Sequence, residues 1–115
     1  MKVLASAGSY SPPPAGEQAA WIEHLRVPDL SVGTYSIPAG GTDGQEPHTE
    51  DEIYVVTAGR AVLAASGERA DVGPGSVIYV AADEPHRFTE ITEDLAVVVL
   101  FAPAEYTRAG QGPPS

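Results

Sequence analysis

Cysteine is absent from the 115-residue chain, which excludes disulfides, thiolate metal sites and a thiol nucleophile. That absence fits a reducing compartment. Basic residues are also scarce. Six Lys plus Arg stand against sixteen Asp plus Glu, a net charge of -10, and Lys2 is the single lysine. A chain this acidic repels the phosphates of nucleic acid and an anionic membrane surface, so neither is expected as a partner. Long apolar runs are missing as well. The longest, Leu95 to Ala102, has eight residues, whereas a membrane-crossing helix needs roughly 20. Met1 to Ala5 is too short for the apolar region of a signal peptide, and a cytoplasmic protein is expected.

Turn formers are plentiful, with 12 Gly and 11 Pro, which favours short elements over long helices. The hydrophobic fraction of 43% is ordinary for one globular domain. Three successive prolines at 12–14 mark residues 1–20 as a Pro-rich arm, and residues 106–115 are expected to be a flexible tail. Between them, residues 21–105 read as strands. Trp21 to Val27, Leu30 to Ile37, Glu52 to Thr57, Ala61 to Ala65, Arg69 to Val72, Ser76 to Val80, His86 to Ile91 and Leu95 to Phe101 are rich in β-branched and aromatic residues. Gly59 ends one of these runs, Ser66-Gly67 makes a hairpin turn, and Pro74-Gly75 makes another. A brief helix near Gly16 to Trp21 is the single helical candidate. About eight short strands at ten-residue spacing predict an all-β sandwich or barrel.

One segment concentrates the acidity. Glu46, His48, Glu50 and Glu52 occupy alternate positions, with Asp51 among them, and alternate positions of a strand share a face. Carboxylates around an imidazole are costly inside a barrel unless a cation joins them, and Glu oxygen with His nitrogen suits Mn, Fe, Ni, Cu or Zn. His86, opening a later strand, offers a second imidazole. A solvated acidic rim with one surface histidine is the alternative.

The spacing His48-(x)3-Glu52-(x)6-Gly59 resembles the first signature motif of the cupin superfamily. Glu46 stands where that motif has its first histidine and Gly40 where it has its leading glycine. Gly75-(x)5-Ala81-x-Asp83-(x)2-His86-(x)3-Glu90 follows the second motif, with Ala81, Asp83 and Glu90 replacing its Pro, Gly and Asn. Fifteen residues separate the two, similar to small single-domain cupins, and the resemblance runs from about residue 30 to 102. It implies a single-domain jelly-roll β-barrel with little helix and one divalent metal at the open end, Mn, Fe, Zn or Ni. His48, Glu52 and His86 match ligand positions, while Glu46 matches by place and not by type. Gln45 and Glu50 are spare candidates for that position.

Tyr54, Val56, Ile78, Val80, Val97 and Val99 are expected to line the barrel or fill its core. Tyr35 and Tyr79 could offer a hydroxyl, and Phe88 either walls the pocket or packs in the core. Arg60 and Arg87 point outward, and His24 is structural or on the surface. The resemblance implies a small-molecule ligand or substrate and a metal-dependent enzyme of dioxygenase, isomerase or lyase type. Glu46, if not a ligand, could serve as a general base. A noncatalytic metal- or ligand-binding module is the alternative, and a metal-free cupin with Glu46 in place of a lost ligand is a third. Cupins commonly pair their sheets, so a homodimer is expected, with Trp21 to Val27 as a candidate edge, and a monomer with that edge covered by the Pro-rich arm is the alternative.

Overall fold

The computed structural model describes residues 1–109. Six strands build it: β1 (Ala20–Val27), β2 (Leu30–Ile37), β3 (Asp51–Ala65), β4 (Glu68–Val72), β5 (Val77–Val80) and β6 (His86–Ala102). All pairings are antiparallel, in the order β1-β2-β6-β3-β4, with β5 pairing β3. The result is the jelly-roll architecture expected, and no helix occurs among the described residues. The helix considered near Gly16 to Trp21 is not formed. Gly16 sits in a turn at φ 83° and β1 starts at Ala20.

Strand number is the other difference. The runs at 52–57 and 61–65 belong to one strand, as do those at 86–91 and 95–101. Gly59 does not end β3; it bends it. Its φ of 85° is open to glycine at little cost, and a Cβ there would overlap the Asp94 backbone. The β3–β6 register shifts three times between Val56 and Val62. Such bulges fold a long two-stranded ribbon over on itself.

Alternation then decides what faces inward. Along β3, Glu52, Tyr54 and Val56 share a parity and are buried, as are His86 and Phe88 on β6. The core is Ile37, Tyr54, Phe88, Leu95 and Phe101 with their valine neighbours, and each large side chain contributes about 1.5–3 kcal/mol on burial. Phe88 belongs to it, its ring centroid 5.0 Å from that of Tyr54. Tyr79 is exposed on the opposite parity. The N-terminal arm packs on the outside of the sheet, where the Gly8 amide donates to Thr34 Oγ1 and Thr57 Oγ1 donates to the Gly8 carbonyl. The expected tail begins as an ordered turn through Ala109, and the rest of it, 110–115, lies outside the described residues.

Candidate metal centre

Glu52 enters the barrel because it continues the inward parity of Tyr54 and Val56, and His86 because it continues that of Phe88. His48 arrives from the loop before β3. Two contacts hold that loop and the start of β3 against the loop leading into His86: the Asp83 amide donates to the His48 carbonyl at 2.7 Å, and the Ala82 amide donates to Asp51 Oδ1 at 2.8 Å. His48, Glu52 and His86 thus come together, all buried, each with one donor atom within 4.8 Å of the others.

The ring of His86 has a fixed orientation. Its Nδ1 lies 2.7 Å from the Glu84 carbonyl, which can only accept, so Nδ1 carries a proton. Nε2 then faces Glu52 Oε1 at 2.9 Å and the Tyr54 hydroxyl at 2.9 Å. His48 has its own partner in Glu105, whose Oε2 lies 2.9 Å from Nε2. Its Nδ1 stands 3.7 Å from Glu52 Oε1, too far for a hydrogen bond. His48 Nδ1 and Glu52 Oε2 are buried with no hydrogen-bond partner.

Charge and burial compete here. Burial alone would lower the His48 imidazole, but Glu105 and Glu52 outweigh it and hold its pKa at about 9. Burial likewise opposes protonated His86, and contact with Glu52 and the Glu84 carbonyl outweighs that and raises it. Burial would raise Glu52; the two imidazoles overcome this and lower it. Burial, then the charges of Glu52 and Asp43, push the Tyr54 phenol well above its ordinary 10.0, so it keeps its proton.

Two further buried carboxylates hold the framework. Asp43 accepts from the Tyr35 hydroxyl at 2.8 Å, the Phe88 amide at 2.9 Å and the Gln45 amide at 3.1 Å. Glu50 accepts from the Tyr106 and Arg108 amides at 2.8 and 2.9 Å, and from the Thr49 hydroxyl. Glu50 therefore clamps the segment after β6, and that segment delivers Glu105. The Glu105 amide donates to Ser31 Oγ at 2.8 Å, and its carbonyl accepts from Arg26 Nη1 at 2.7 Å.

Of the four ligand candidates, Glu46 is the one the structure does not bring in. It is exposed in the loop before β3 and lies outside the cluster. The spare candidates are engaged elsewhere, Glu50 with the clamp and Gln45 with Asp43 and the Tyr54 hydroxyl. Tyr35 spends its hydroxyl on Asp43. His24 contacts Thr34 Oγ1 at 2.7 Å, away from the cluster. Arg60 is exposed and pairs with Glu93, and Arg87 is exposed. Two residues join the site that sequence reasoning did not single out for it. Tyr54 carried a signal in its shared parity with Glu52. Glu105 carried none, because its place depends on the clamp.

The model of the cupin domain matches residues 33–103. The chain belongs to the cupin family. A curated relative, an uncharacterized protein of Streptomyces coelicolor, is 45% identical over 91 residues, covering 79% of this chain and 87% of the relative. Among solved structures, the cupin fold here superposes on the DMSP lyase DddQ of Ruegeria pomeroyi with a TM-score of 0.68 at 22% identity. That match covers 74% of this chain and 47% of the lyase, so the cupin spans about half of it. It superposes on salicylate 1,2-dioxygenase of Pseudoaminobacter salicylatoxidans with a TM-score of 0.70 at 15% identity, over 79% of this chain and 26% of that one. At such identities the likeness is one of fold.

Proposed function

We propose that this cupin is a metal-dependent enzyme acting on a small molecule, with His48, Glu52 and His86 holding one divalent ion. The observation that carries this is the pair of bare buried atoms, His48 Nδ1 and Glu52 Oε2. A buried polar atom without a partner is costly, and a cation satisfies both at once. Two imidazoles and one carboxylate fit the donor preferences of Fe, Mn, Ni or Zn, and match the set used by non-haem Fe(II) oxygenases. Such an ion with open positions supplies Lewis acidity toward a substrate oxygen and, in the case of iron, dioxygen activation. The fold likeness to a lyase and to a dioxygenase is consistent with both directions, and fold does not choose between them.

The protein's own groups divide the remaining work. Glu84 fixes the tautomer of His86, and Glu105 holds the Nε2 side of His48 so that Nδ1 faces the centre, an arrangement that orients ligands and raises their basicity. Tyr54 accepts from Gln45 Nε2 at 3.0 Å, which leaves its own O–H to donate. With His86 Nε2 serving to hold an ion, the Tyr54 hydroxyl would be free to donate to a substrate oxygen. Glu46, exposed in the loop before β3, has no part in this ligand set.

A homodimer formed through β1 belongs to the same proposal, supported by its place at the end of the sheet and by exposed Ile22 and Val27. Among the described residues no helix is long and apolar enough to cross a membrane.

The test is a substrate screen on iron- and manganese-loaded protein, following oxygen uptake and product formation. Tyr54→Phe is expected to retain metal and lose about 10²–10⁴-fold in turnover, the range for a positioned proton donor. Full activity in Tyr54→Phe would remove that role. Metal without turnover on any substrate would favour the noncatalytic module.

A further inference from the structure

A cavity of about 250 Å³ opens beside His48. Its apolar walls are Trp21, Tyr35, Val99, Phe101 and Tyr106, and its polar groups are Gln45, His48 and Glu105. The volume lies below the ~300–1,000 Å³ of drug-sized sites, which suits a molecule the size of a single ring. Trp21 meets Tyr35 and Phe101 edge-on, with centroids 6.5 and 6.2 Å apart. The indole lies on Gly33, where a Cβ would overlap it, so the outer wall depends on that glycine.

The charges select among ligands. An anion entering this cavity finds no lysine or arginine among the lining residues, and the one basic group there, His48, is already paired with Glu105 at 2.9 Å. A cation finds Glu105 already paired with His48 at 2.9 Å. An uncharged ring loses little on leaving water and gains the aromatic walls. Hydrogen bonding narrows the choice further. Tyr35 donates to Asp43, and Gln45 Nε2 donates to Asp43 and Tyr54. The amide of Gln45, which lines the cavity, is thereby oriented, and its side-chain oxygen has no hydrogen-bond partner among the described residues. The free oxygen accepts, so the ligand must donate.

We infer that the cavity binds an uncharged single-ring molecule bearing a hydroxyl, a phenol, stacked against Trp21 with its hydroxyl directed to Gln45. This rests on the proposal above in taking the cavity beside His48 as the substrate's place. It does not require that a metal be bound.

Trp21 is the single tryptophan of the chain, so its fluorescence reports on this wall alone. The full-length protein, metal-free and metal-loaded, is titrated with phenol, anisole, benzoate and benzyltrimethylammonium. Phenol is expected to give a saturable change and, in the metal-free protein, to bind at least about tenfold more tightly than either ion, whose charge would be buried unpaired. Anisole, which lacks the donor, should bind about fivefold more weakly than phenol, the equivalent of one net hydrogen bond. Gly33→Ala should abolish the response by displacing the indole, and Gln45→Met should erase the difference between phenol and anisole. No saturable response to phenol, either ion binding the metal-free protein as tightly as phenol does, or a Gln45→Met protein that still separates phenol from anisole would overturn the inference. Because the metal-free titration is included, a failure of metal binding and a failure of this cavity are distinguishable: metal held without a Trp21 response sinks this inference alone.

Discussion

Of the four buried carboxylates, Asp43, Glu50, Glu52 and Glu105, the first three differ in how their oxygens are used. Asp43 and Glu50 are surrounded by donors, most of them backbone amides. Glu52 meets two imidazoles and leaves Oε2 bare. The first two are complete as they stand and tie loops to strands. The third is complete only when something further is added. Burial and charge alone do not separate a structural carboxylate from a functional one; hydrogen-bond satisfaction does.

Substitutions sharpen this contrast in order of size. Asp43→Ala removes the acceptor of four donors at once, the Tyr35 hydroxyl, the Gln45 and Phe88 amides and Gln45 Nε2, and should cost about 3–5 kcal/mol in denaturant unfolding at ~1–3 kcal/mol per orphaned group. A loss below about 1 kcal/mol would show that these bonds are replaced by water. Glu50→Gln keeps the shape but loses charge and one acceptor, and about 2 kcal/mol of stability is expected to go, with metal content retained. Loss of metal from this variant at undiminished stability would place Glu50 with Glu52. Glu105→Gln retains a hydrogen bond to His48 without the charge and should weaken metal binding about 10–100-fold, as such outer partners do, measured by competition with a chelator on folded protein. Unchanged affinity would leave Glu105 as a cavity wall only.

The sequence carried the parts of the site that are local. Parity along β3 and β6 turned Glu52 and His86 inward, and the motif spacing singled out His48. Glu46 lies among residues 41–50, which form no strand, so the alternation that holds along β3 does not carry back to it, and it stands exposed outside the cluster. Glu105 is brought to His48 by Glu50 and Ser31, contacts that span more than fifty residues and leave no periodic trace. The same limit explains the strand number. Glycine at 59 signals a break in a strand, but the close approach of Asp94 makes it a bend within a continuous ribbon.

The central claim is that His48, Glu52 and His86 together hold an ion. Elemental analysis of protein purified without a histidine tag, as isolated and after reloading with Mn, Fe, Ni and Zn, tests it most directly. The account predicts near-stoichiometric metal in the parent and background levels in His48→Ala, Glu52→Gln and His86→Ala. A parent that takes up none of the four metals, or variants that retain a full complement, would contradict it.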